Sequence, residues 1–183
     1  WSRVRVPSCF EAACENLDYY EGICWYRRSF KAKGSWWEKR IVLRFEGVNY
    51  RAKVWLNGVL LGESSDAFLP FEFEIQEHVR FGKDNVLAVS ADNSHRPGDV
   101  PGMHVGWRGF GGIVREIRIY TTEKLHIGEA RVLAEPEGSS GKMRWKIRVR
   151  NSGEEKSSAA VSVKVTDAKG ALKAEMVSGQ LSL

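Results

Sequence analysis

Leu43-Arg-Phe-Glu-Gly-Val-Asn-Tyr-Arg-Ala-Lys-Val-Trp-Leu-Asn-Gly58 is the stretch that decides the fold class. Ile41, Leu43 and Phe45 alternate with Arg40, Val42, Arg44 and Glu46, and Ala52, Val54 and Leu56 alternate with Arg51, Lys53 and Trp55. A period of two sends successive side chains to opposite faces, so both runs predict half-buried strands. Asn57-Gly58 then predicts a tight hairpin, because a type I′ turn needs positive φ at both central residues. Val59-Leu60-Leu61-Gly62 returns the chain. Outward from this hairpin, Phe71, Phe73 and Ile75 oppose Glu72 and Glu74, and further strands are predicted over residues 85–90 and 113–120. No window sustains helical spacing; residues 9–16 supply a helical turn or two at most. Many short strands separated by turns predict a sandwich or barrel. Ile41, Leu43, Phe45, Val54, Leu56, Phe71, Phe73, Val86, Ile117 and Ile119 are its expected core.

A boundary is expected near residues 121–124, dividing the chain into units over residues 1–122 and 123–183. The second unit carries strands over 127–134, 143–150, 160–166 and 171–176, with loops at 135–141 and 167–170. Its length, about 60 residues, falls short of the ~100 of an Ig-type sandwich. It is therefore expected to be truncated, with an uncovered apolar face.

The net charge of +5 raises the question of nucleic acid, but its distribution answers it. Arg144, Lys146, Arg148 and Arg150 alternate with Met143, Trp145, Ile147 and Val149, which predicts the solvated face of one strand. No zinc-finger, basic-zipper or RNP-like motif accompanies it, so no nucleic-acid partner is expected. No stretch has the length of a transmembrane helix, and no membrane partner is expected. No signal peptide precedes Trp1, although a removed signal would leave the same record; secreted, periplasmic and cytoplasmic locations all stay open. Cys9, Cys14 and Cys24 form no CxxC pair and have no His-rich partner set, so no metal site is expected. Three buried thiols are preferred over one disulfide with a thiol left over. Gly109-Phe-Gly111-Gly112 precedes a strand and does not open a helix, which makes it a poor phosphate cradle. The four histidines show no spacing to a Ser or Cys nucleophile.

Five blocks in order resemble glycoside hydrolase family 2, the family of β-galactosidases, β-glucuronidases and β-mannosidases. Glu21-Gly-Ile-Cys-Trp-Tyr-Arg-Arg-Ser-Phe30 resembles its G-x-x-W-Y-R-x-x-F strand, and residues 43–58 resemble its F-x-G-V-x-x-x-A-x-V-x-L-N-G hairpin. Gly62 with Pro70-Phe71 and Phe73-Glu-Ile75, then Asp84-Asn-Val-Leu-Ala-Val89, then Gly111-Gly-Ile-Val-Arg-Glu-Ile117, follow at the family's spacing. The resemblance covers residues 1–120. It implies an all-β chain: a galactose-binding-like jelly-roll β-sandwich followed by part of an Ig-like β-sandwich. It further implies a C-terminal catalytic (β/α)₈ barrel on the same polypeptide as partner, with a carbohydrate bearing a terminal β-linked sugar as ligand. No cofactor is implied, and a homo-oligomer is left open.

Retaining glycosidases need two carboxyl groups roughly 5–5.5 Å apart, and in this family both belong to the barrel. No pair here is a candidate, so the chain is expected to be inactive alone. Its expected role is to scaffold and partly line the sugar subsite of an exo-acting, β-galactosidase-like enzyme; the rival is a free-standing carbohydrate-binding module or lectin. Two segments lie where the subsite loops belong, residues 16–22 and 92–110. Within the second, Asp92, Asn93, Asp99, His104, Trp107 and Arg108 are the candidate substrate-binding residues. Asp, Asn and Arg suit hydrogen bonds to sugar hydroxyls, and a Trp face suits the C–H side of a pyranose. Several relatives carry a sugar-binding Asp a few residues before the Gly-Ile pair; Gly106 stands at about that position here, and Asp99 is its substitute.

Overall fold

The computed structural model describes residues 1–100, 110–138 and 140–183. The chain divides into two compact units, Trp1–Thr121 and Thr122–Leu183.

The first unit opens with a short helix, α1 (Phe10–Ala13), followed by β1 (Ile23–Lys31), β2 (Arg40–Phe45), β3 (Val48–Asn49) and β4 (Arg51–Leu56). After the hairpin come β5 (Val59–Ser64), β6 (Phe71–Glu74), β7 (Asp84–Asp92), β8 (Gly112–Ile113) and β9 (Ile117–Thr122). One sheet has the order β1-β7-β4-β5, a second the order β6-β2-β9, and β3 pairs with β8. β7 runs antiparallel to β1 and β4, which line its two edges, and β2–β6, β3–β8 and β4–β5 are antiparallel too. Ile41, Leu43 and Phe45 of β2 meet Ala52, Val54 and Leu56 of β4 and Leu87, Val89 and Ala91 of β7 in one core. Each of these residues belongs to the inner half of its strand's alternation, so two inner faces interdigitate as in any sandwich. Asn57 and Gly58 both adopt positive φ (53° and 87°), as the hairpin requires. On the outer positions of β2 and β6, Arg40 pairs with Glu74, and Arg44 with Glu46 and Glu72.

Three expectations for this unit need correction. Val86 is half-exposed, while Leu87, Val89 and Ala91 are buried. The inner position next to Val86 is taken by Asn85, fully buried with its amide answered on every side. Its Oδ1 accepts from the Arg80 amide (2.8 Å) and the Asn57 side chain (2.9 Å), and its Nδ2 donates to the Arg80 carbonyl (2.9 Å). The segment expected as one strand over 113–120 is two, β8 and β9, because residues 114–116 leave the ladder. The three cysteines are free and half-buried rather than fully buried.

The second unit is built from β10 (Leu125–Glu137) paired with β11 (Ser140–Asn151), β12 (Ser158–Ala159) with β15 (Leu181–Ser182), and β13 (Ser162–Thr166) with β14 (Leu172–Val177). The first hairpin runs straight through Pro136, so the loop expected over 135–141 shrinks to its tip. Trp145, Ile147 and Val149 are half-buried and the alternating basic residues exposed. Among the described residues of this unit none is buried.

Asn85 sits at the entry of β7, fully buried, and its loss removes the partner of the Arg80 backbone and of the Asn57 side chain. N85A is expected to lower stability by about 2–4 kcal/mol, read from the urea midpoint at unchanged m-value.

Candidate functional site: one end of the sandwich

The other end of β7 gathers the two segments expected to carry function. Ile23 and Arg51 flank Asp92 in register, and the Tyr50 amide donates to the Asp92 carbonyl (3.1 Å). Asn93 follows, buried, and joins the segments directly. Its backbone N–H donates to the Gly22 carbonyl (3.2 Å), and its Oδ1 accepts from the Gly22 amide (2.8 Å). Its Nδ2 donates to the Tyr20 carbonyl (3.0 Å) and to Oε1 of Glu11 (2.9 Å). An asparagine has one acceptor and two donor hydrogens to satisfy, and here all find partners.

Glu11 is the residue that sequence reasoning missed. It projects from α1 and is buried. Its carboxylate accepts from the Gly111 amide (2.8 Å to Oε1, 3.1 Å to Oε2) as well as from Asn93. Gly111 has to be glycine: a Cβ there would lie 2.1 Å from the Phe10 ring and 2.8 Å from the Asn93 Cβ. Within the run that looked like a poor phosphate cradle, Gly111 thus serves close packing. The signal that could have found Glu11 is a single acid inside the apolar turn Phe10-Glu-Ala-Ala13.

Residues 94–100 are pinned as firmly. Asp92 Oδ1 accepts from the Ser94 amide (2.9 Å) and Oδ2 from the Arg96 guanidinium (2.9 Å). Asp99 Oδ2 accepts from the Arg96 amide (2.8 Å) and Oδ1 pairs with Arg51, which also donates to the Ser94 carbonyl (2.9 Å). The Val100 amide donates to the Tyr50 hydroxyl (3.1 Å), and the Arg51 guanidinium lies 4.8 Å over the Tyr50 ring. Burial alone would raise the Asp92 pKa, but the Ser94 hydrogen bonds and the charges of Arg96 and Arg51 outweigh it and hold it below the ordinary range. Asp99 behaves alike: burial is overcome by Arg51, the Arg96 amide and the charge of His95. A general acid for glycoside cleavage needs a raised pKa, so these carboxyls are built to stay ionised and to hold a loop.

Asp92, Asn93 and Asp99 are therefore brought together at one end, each engaged by neighbours within the chain. His104, Trp107 and Arg108 lie outside the described residues. Around the rim, Tyr19 is 87% and Phe110 55% exposed. An open cleft of about 1140 Å³ lies elsewhere in this unit, lined by apolar side chains such as Phe30, Leu43 and Ile119. Trp1, Trp25, Arg27 and Arg28 also line it, and of the described residues in the two candidate segments Leu17 alone reaches it. Among the described residues no group of three or more His, Cys, Asp or Glu could hold a metal ion.

Residues 1–123 match the model of the glycosyl hydrolases family 2 sugar binding domain. The chain belongs to glycoside hydrolase family 2. Within that family it is 35% identical over 114 residues to a β-glucuronidase of Formosa agariphila, a match covering 59% of this chain and 12% of the relative. It is 36% identical over 111 residues to a β-galactosidase of Thermoanaerobacter pseudethanolicus, covering 59% of this chain and 15% of that one. Among solved structures, a Bacteroides uniformis β-glucuronidase superposes with a TM-score of 0.87 at 26% identity, over 100% of this chain and 22% of the other. A β-glucuronidase of an uncultured Clostridium superposes at 0.80 and 27% identity, over 97% and 32%. The chain thus spans 12–32% of the length of these relatives, and its matched domain is the sugar-binding one.

The pKa directions set a sign. Both aspartates are depressed in the fold, so the stability they contribute is present above the unfolded pKa, about 3.9, and is lost as pH falls through the folded values. R51M is expected to cost about 2 kcal/mol at pH 7, because Asp99 is left partly buried without its cation. Urea melts from pH 7 to pH 2.5 should show that difference shrinking toward the acid end as Asp99 protonates in both proteins.

Proposed function

We propose that this chain is the front portion of an exo-acting β-glycosidase, β-galactosidase-like in substrate class. In this reading it scaffolds and partly lines the subsite for a terminal β-linked sugar. The observation that carries it is the junction at Asn93, which fastens residues 20–22 to the segment beginning at Asp92. Two loop segments far apart in sequence are thereby held side by side at one end of a rigid sandwich, which is where functional loops gain their precision. The names of the matched relatives, β-glucuronidases and β-galactosidases, support a pyranoside substrate.

The roles within the site follow from which groups are already engaged. Asp92, Asn93 and Asp99 act by shaping the rim, since their polar atoms are committed to neighbours. His104, Trp107 and Arg108 have the chemistry for direct contact, a ring face for the pyranose and donors for its hydroxyls. Thr122–Leu183 is the beginning of an Ig-like sandwich, and the catalytic barrel of the same polypeptide supplies the acid/base and nucleophilic glutamates. Hydrolysis would then pass through a covalent glycosyl intermediate on that barrel.

The isolated chain is expected to release no nitrophenol from p-nitrophenyl β-galactoside or β-glucuronide and to give no calorimetric signal with the methyl glycosides at millimolar concentration. Millimolar or tighter binding would favour the free-standing carbohydrate-binding module, and turnover would sink the non-catalytic reading.

A further inference from the structure

We propose that Glu11 is the positioning residue of this subsite: one buried carboxylate ties Asn93 to Gly111 and so fixes how the rim over residues 93–100 is presented to sugar. The inference rests on the reading above that this rim lines the subsite. Three observations carry it. Glu11 is buried on a helix of only four residues, and among the described residues its carboxylate is answered by the Asn93 side chain and the Gly111 amide. Those partners are 82 and 100 residues away in sequence, so the contact closes no local turn; it joins α1 to both roots of the segment. Charge-assisted bonds of this kind are short and directional, which suits a group that sets position.

The same carboxylate reaches the second segment through Asn93. The Asn93 Nδ2 that donates to Glu11 also donates to the Tyr20 carbonyl, and the Asn93 Oδ1 accepts from Gly22. Rotating that amide to recover a lost partner would break the Gly22 contact, so the loss of Glu11 is transmitted to both sides of the rim. Phe10, next in sequence, packs edge-to-face on Tyr20 with centroids 5.9 Å apart and against Gly111, which leaves α1 little freedom to compensate. Glu11 itself is turned inward, away from the rim surface, and acts on sugar only through what it holds.

A buried carboxylate could equally be a general stabiliser, and Asn85 supplies the control. Asn85 is likewise buried and fully bonded, but it sits at the opposite end of β7, roughly 26 Å from Asn93 along the strand at 3.3 Å per residue. E11A, E11Q and N85A are compared by two readouts, at a temperature where all stay folded. Amide exchange on this chain is expected to accelerate about tenfold or more at Gly22, Asn93 and Ser94 in E11A, and less in E11Q, which keeps the shape and one acceptor oxygen. N85A should leave those amides within about twofold of wild type. In the intact glycosidase, E11A should raise KM for p-nitrophenyl glycosides about tenfold with kcat within about twofold, E11Q should recover part of the loss, and N85A should change neither. Unchanged exchange in both Glu11 variants overturns the clasp, whatever happens to KM. Accelerated exchange with unmoved KM leaves the clasp standing but removes the rim from the subsite, which overturns the positioning role through the reading it rests on. Equal KM effects in E11A and N85A overturn it as mere stability.

Discussion

A central strand paired along both edges buries polar side chains near its two ends, and such groups must be answered from within the chain. β7 is that strand. At its entry, Asn85 is closed by the Arg80 backbone and Asn57, which welds the Asn57-Gly58 hairpin to the rest of the sheet. At its exit, Asn93 and Glu11 do the same work with partners drawn from three separate parts of the chain. The constraint is identical at the two ends, but the results differ. One end becomes a tight turn, and the other a rim of loops whose roots cannot drift.

What the sequence makes legible is what repeats locally. The alternation over residues 40–56 and the Asn-Gly pair specify strands, faces and turn from near neighbours alone, and the sandwich follows. Val86 fails for a physical reason: β7 is apolar on both faces over Val86-Leu-Ala-Val89, so periodicity cannot tell inside from outside. The inner register is settled by Asn85, a residue that composition assigns to the surface. Glu11 stands out only as a lone acid in an apolar turn, and its partners were illegible because they lie 82 and 100 positions on. Arg51 read as the outer half of a strand, and nothing near it announces Asp99. The candidate loops were found by length and composition, whereas the groups that hold them are visible only in three dimensions.

The electrostatics separate holding from chemistry. Asp92 and Asp99 are both held below the ordinary carboxyl range by arginines and backbone donors. Catalytic carboxyls in glycosidases are tuned apart, one kept protonated near neutrality and one ionised. A site in which Glu11, Asp92 and Asp99 are all committed as acceptors has the opposite design, and it fits a domain that presents a surface to chemistry performed by another. That agrees with membership of a family whose matched domain is the sugar-binding one.

The central claim is that this end of the sandwich faces the sugar. The most direct measurement is amide exchange on the intact glycosidase with and without a saturating competitive sugar inhibitor. The account predicts protection confined to residues 18–22 and 93–100 within this chain, with the Asn57-Gly58 end unchanged. Inhibitor bound at saturation with no protection at either segment would contradict it.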